Sequence, residues 1–155
     1  NVAGAVGFAA ALDWAGLGTA GSTLETAADR HTHMAALRDR LIAGLRDVIP
    51  DAVLRGAAPG PVRLPGNAHF TFPECQGDSL VFLLDAAGIS ASVGSACQAG
   101  VAEVSHVLLA MGVPEEDAIG SLRFTLGPDS TAAEVDALLA ALPDAVARAR
   151  RAGLS

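Results

Sequence analysis

The sequence has 155 residues, 51% of them hydrophobic and 17% charged, with a formal net charge of −7. That is the size of one ordinary domain with a well-filled core, and its acidic balance (pI near 4.8) leaves no basic patch to displace counterions from nucleic acid. All ten basic residues are arginine, which excludes any mechanism needing a lysine amine from this chain, Schiff-base chemistry and a P-loop included.

Two explanations of the missing lysine stand open. One is codon bias in an Ala- and Arg-rich sequence. The other is that a catalytic lysine belongs elsewhere and this chain is a piece of something larger.

The first residue is Asn1, and Asn1 to Leu12 is strongly apolar. The stretch lacks a basic leading region, runs into Asp13 and Trp14, and falls short of the ~20 residues that cross a bilayer. It reads as a helix that packs on something, with no membrane span and a cytoplasmic setting. Gly16 to Gly21 breaks it, so residues 1–21 are expected to be a helix and linker leading in, and residues 22–155 a domain. Ser22-Thr23-Leu24-Glu25 makes a capping box, followed by Met34, Leu37, Leu41, Leu45 and Val48 at helical spacing up to Ile49. Gly56 to Gly66 holds three prolines and reads as a loop.

Ala68, Phe70 and Phe72 alternate with His69 and Thr71, which is strand spacing with one buried face. Gly77-Asp78-Ser79 then opens a helix through Leu80, Leu83, Leu84 and Ala87, closed by Gly88 at a C′ position. A short strand is expected from Ile89 to Val93, a loop of small residues from Gly94 to Gly100, and a short helix from Ser105 to Met111. Glu115-Glu116-Asp117 reads as a helix first turn, where acids favour the dipole. Leu122, Phe124 and Leu126 alternate with Arg123 and Thr125 as another strand. Thr131-Ala132-Ala133-Glu134 caps a last helix, in which Pro143 should kink or restart the chain. The order predicts an α/β (α+β) fold, a small sheet with long helices over one face. Parallel or antiparallel pairing is not readable from it.

Cys97 lies in Ser92-Val93-Gly94-Ser95-Ala96-Cys97-Gln98-Ala99-Gly100. A thiol among small residues with glycine on either side is suited to a nucleophile that travels. No local cation lowers its pKa from about 8.5, so activation would come from tertiary neighbours or substrate. An ordinary buried cysteine is the commoner fate of the residue type and stays open on spacing alone. Arg123 sits mid-strand, opposite in direction to its apolar neighbours. It offers either a rigid fork for a carboxylate or phosphate, or a solvated arginine on an exposed face. Cys75 and Cys97 form no Cys-x-x-Cys, and a 75–97 disulfide is the less favoured alternative. His31 and His33 are two apart and cannot share a metal as an i, i+4 pair could; His69 and His106 have no partner at ligand spacing, and all four read as structural.

Taken together, these residues resemble the C-terminal part, the small domain, of a cysteine desulfurase. This is a fold-type I, class V aminotransferase-like pyridoxal-phosphate enzyme, here in its class with a long cysteine loop. The resemblance rests on Ser92 to Cys97, Ser105-His106-Val107-Leu108, Met111-Gly112, Leu122 to Gly127 and Thr131 to Asp136, with Asn1 to Gly4 as the opening. It covers nearly the whole chain in order. Val104 departs from it, standing where many relatives have proline.

The resemblance implies that Cys97 attacks the sulfur of L-cysteine and becomes a persulfide while alanine leaves. It implies that Arg123 grips the substrate carboxylate. It implies pyridoxal phosphate in the complete enzyme, held by a lysine of a missing large domain, and a homodimer when complete. This chain alone is then expected to be inactive. A sulfur-acceptor protein follows as partner, with iron–sulfur clusters, tRNA thiolation, DNA modification or a natural product as destinations. The alternative is a free-standing persulfide carrier or interaction module using the same cysteine loop.

Overall fold

A computed structural model describes residues 1–15, 24–94 and 104–153. Among these described residues nine elements follow in order: α1 (Val2–Trp14), α2 (Leu24–Val48), β1 (Val53–Leu54), β2 (Asn67–Thr71), α3 (Gly77–Asp85), α4 (His106–Ala110), α5 (Glu115–Ala118), β3 (Ser121–Thr125) and α6 (Ala132–Gly153). The expected mixture of small sheet and long helices is what forms. The sheet is three-stranded in the order β1-β2-β3, and both pairings are antiparallel.

Alternation decides the layering. Ala68 and Phe70 of β2 face the same way as Leu122 and Phe124 of β3, because Ala68 pairs with Phe124 and Phe70 with Leu122. All four are buried in one core with Leu41 and Leu45 of α2, Leu80 and Leu84 of α3, and Leu138, Leu142 and Val146 of α6. The helices therefore cover one face of the sheet. Fully burying each such Leu, Val or Phe side chain is worth roughly 1.5–3 kcal/mol, which is why these residues set the strand register. A one-residue slip would turn every one of them outward.

The helix ends follow the expected chemistry where they are described. Thr131 and Glu134 cap α6 reciprocally: the Thr131 amide donates to Oε2 of Glu134 at 2.7 Å and the Glu134 amide to Oγ1 of Thr131 at 3.3 Å. The capping box at Ser22 lies outside the described residues. After α3, Ile89 N–H donates to Leu84 O at 2.9 Å and Gly88 N–H to Asp85 O at 2.8 Å, with Gly88 at φ +77. That is a Schellman closure with Gly88 at C′.

Two expectations change. Ile89 to Val93 is not a strand: only Ser92 bridges, to Arg123. The reason is local, since the Ile89 amide is consumed in closing α3 and Gly94 turns the backbone at φ +77. Pro143 does not restart α6, which runs unbroken from Ala132 to Gly153. Pro143 itself is exposed while Leu142, Ala145 and Val146 are buried, so packing on the core outweighs the lost hydrogen bond.

The loop before β2 is built by two buried arginines, Arg38 and Arg63. Arg63 donates to the carbonyls of Ala57, Asn67 and Arg55 at 2.5–3.2 Å. Arg38 donates to those of Arg63 and Leu64 and pairs with Asp39 at 2.8 Å. Each buried cation is tolerated because its donors are filled. α1 buries no residue, and Trp14 meets Arg30 of α2 through a cation–π contact at 5.4 Å. No described helix is long and apolar enough to cross a membrane.

Candidate functional site

With the apolar face of the sheet committed to the helices, chemistry is left to the other face. β3 places Arg123 there, directly opposite His69 of β2 and, on its other edge, opposite Ser92. The hydrogen bonding fixes how close they come. The Arg123 N–H donates to Ser92 O at 2.6 Å and the Ser92 N–H to Arg123 O at 3.2 Å, while His69 O accepts from Arg55 N–H at 2.8 Å. The main-chain groups of Arg123 and His69 thus point away from one another. They form a non-hydrogen-bonded antiparallel pair, whose Cα atoms stand about 4.5 Å apart with side chains at their closest.

The cations of this face differ in how far they are committed. Arg55 donates to Oγ1 of Thr71 at 2.9 Å and to Asp117 at 3.1 Å, and Arg63 is bound to its three carbonyls. The Arg123 guanidinium has no hydrogen-bond or ion-pair partner among the described residues, and the residue is half-buried. A fork that folding leaves unpaired is available to an anion. His69 is the second unusual group: its Nε2 is the one buried side-chain polar atom without a hydrogen-bond partner among the described residues. Burial pushes the imidazole pKa down, and Arg123, Arg63 and Arg55 push it further in the same direction. His69 is therefore neutral near pH 7, with one ring nitrogen a donor and the other an acceptor. A cleft of about 250 Å³ beside it is lined by Arg55, Arg63, Asn67, Val107 and Met111 among others.

The stem of the cysteine segment is anchored to the same place. Besides the Ser92 bridge, Ser121 Oγ donates to Val93 O at 3.0 Å and the Gly94 amide to Ser92 Oγ at 3.1 Å. A Cβ on Gly94 would stand 3.3 Å from both Cε1 and Nε2 of His69 and 3.8 Å from Cβ of Arg123. Together with its φ of +77, that close approach requires glycine. Cys97 follows three residues later and lies outside the described residues. Cys75 is a free, buried thiol. Burial raises its pKa, against a smaller opposing pull from Arg150.

Arg123 is where the alternation of its strand puts it. His69 was legible as a strand residue but not as its neighbour, since nothing in either strand states the register. Arg38 and Arg63 carried no signal beyond their residue type. The remaining histidines stay apart from this face: His31, His33 and His106 are exposed, and His33 Nε2 contacts Ser130 O at 2.8 Å. No group of three His, Cys, Asp or Glu side chains able to hold a metal occurs among the described residues.

Comparison with known proteins adds lineage to this geometry. A family model described as aminotransferase class-V matches residues 1–138. A protein of Mycobacterium tuberculosis named IscS-like cysteine desulfurase is 52% identical over 155 residues, covering 100% of this chain and 37% of that protein. The cysteine desulfurase NifS of Azotobacter vinelandii is 39% identical over 136 residues, which are 87% of this chain and 33% of that one. The chain thus spans about a third of the length of these relatives. The solved structure of a NifS-like protein from Rickettsia africae superposes with a TM-score of 0.65 over 78% of this chain and 30% of that one. At 24% identity it shows a shared fold. A second structure, titled NifS-like protein, gives 0.64 at 29% identity over 81% of this chain and 30% of that chain.

Proposed function

We propose, on the footing that the chain belongs to the aminotransferase class-V family, that it is the C-terminal, sulfur-accepting part of a cysteine desulfurase. Arg123 binds the carboxylate of L-cysteine, and Cys97 takes the sulfur. The carrying observation is Arg123 itself: a fork fixed mid-strand, without a side-chain partner among the described residues and bridged through its backbone to the stem that leads to Cys97. In the net reaction the Cβ–S bond of cysteine breaks and an S–S bond forms at Cys97. L-alanine leaves, and hydrogen and electrons balance without an outside oxidant.

Pyridoxal phosphate, the cofactor that the family resemblance brings with it, does not fit a covalent place on this chain. None of its 155 residues is lysine, so no amine is present to hold the aldehyde. The lysine belongs to a large domain. Residues 1–21 serve as the helix and linker from it and residues 22–155 as the small domain. An α1 that buries none of its apolar residues supports this division. The complete protein acts as a cytoplasmic homodimer and passes its sulfur to an acceptor protein, with iron–sulfur cluster assembly one destination.

The test uses the complete protein with its cofactor. Arg123→Leu should raise the KM for L-cysteine and lower kcat/KM about 100-fold or more, the loss of a bidentate carboxylate contact. An unchanged KM would remove Arg123 from the substrate site. The 155-residue chain alone should release neither sulfide nor alanine from L-cysteine.

A further inference from the structure

We propose that His69 is a second carboxylate-recognition residue, its Nε2–H donating to the same substrate carboxylate that the Arg123 fork holds. The inference rests on the desulfurase reading and goes beyond it by naming a residue on another strand. The first support is placement. His69 and Arg123 are a non-hydrogen-bonded cross-strand pair on the face turned away from the core, so one small anion can touch both side chains.

The second support is the orphaned Nε2. A buried polar atom without a partner is costly, and two of the cations near it are already committed. Arg55 is bound to Thr71 and Asp117, and Arg63 to backbone carbonyls. Nε2 has no acceptor among the described residues, and a carboxylate brings two.

An imidazole donor suits this site for a physical reason. A second guanidinium would repel Arg123, whereas a neutral ring adds a directional hydrogen bond at no Coulombic cost.

The experiment is calorimetric binding of two probes, L-alanine and L-alaninamide, to the complete cofactor-loaded protein and its variants. The second probe lacks the carboxylate. His69→Phe, which keeps a ring and loses both nitrogens, should weaken L-alanine about tenfold, as expected for one hydrogen bond to a charged group. It should leave L-alaninamide unchanged. His69→Gln, which restores a donor, should hold L-alanine within about threefold of the unsubstituted protein. Unchanged L-alanine binding in His69→Phe would overturn the proposal. So would equal weakening of both probes, the mark of a merely structural residue, or a His69→Gln variant as weak as the Phe variant. Failure of the desulfurase reading shows separately, as unsubstituted protein that binds L-alanine with this His69 dependence yet releases no sulfide from L-cysteine.

Discussion

At the scale of single residues, His69 couples the site to the stability of the fold. Its imidazole is disfavoured as a cation first by burial and then by Arg123, Arg63 and Arg55. The folded state therefore binds this proton less readily than the unfolded chain, whose histidine titrates at its ordinary 6.5. The stability contributed by neutral His69 is present above that value and is lost as pH falls through the lower folded one. We expect urea unfolding of the protein to lose stability from about pH 7 to about pH 5 more steeply than that of His69→Gln. Parallel pH profiles for the two proteins would show that His69 is not held neutral. The residue scale is also where the sequence was most unevenly readable. Arg123 stood out because three apolar neighbours on an alternating strand left it facing the other way. His69 obeyed the same alternation but gained its meaning only from pairing with Arg123, and pairing is a property of two segments over fifty residues apart. Cys97 was marked by its small-residue surroundings and by family resemblance, and it lies outside the described residues.

Among the elements, helices were more legible than strands. The stripe Leu37, Leu41, Leu45 and Ile49 is the buried stripe of α2 and its end, and the Thr131–Glu134 box caps α6 as its spacing required. Short pairing segments were not. The two residues of β1 are too few to show a period, and Ile89 to Val93 looked strand-like while its first amide was committed to closing α3. Pro143 illustrates how tertiary packing overrides local preference. α6 continues through it because Leu138, Leu142, Ala145, Val146 and Ala149 are all buried on one side, and the proline ring is left on the exposed side. Its missing amide leaves the carbonyl of Leu139 without its helical donor. Pro143→Ala should restore that bond and stabilise the protein by about 1–3 kcal/mol, read as a higher urea midpoint at unchanged slope. A lower midpoint would mean that the ring's own packing matters more than the hydrogen bond.

For the molecule as a whole, the proposed function gives the absence of lysine a meaning. Codon bias would account for arginine at surface positions such as Arg40 and Arg148. It does not account for how the proposed cofactor is held; the chain spans about a third of these relatives, and the proposal places the lysine in a large domain. The sheet has one face sealed by helices and one that offers Arg123 and His69, whose side chains have no hydrogen-bond partner among the described residues, and the stem of the Cys97 segment. Under the proposed function, such a face is one half of a pocket and carries the groups for sulfur acceptance and carboxylate binding.

The most direct test of that claim is mass spectrometry of the complete, cofactor-loaded protein after brief exposure to L-cysteine, with the modified peptide mapped. The account predicts one added sulfur on Cys97, none on the buried Cys75, and its near disappearance in Arg123→Leu at limiting L-cysteine. Sulfide and alanine released while Cys97 never carries the extra sulfur, or full loading of Cys97 in Arg123→Leu at that same limiting concentration, would contradict it.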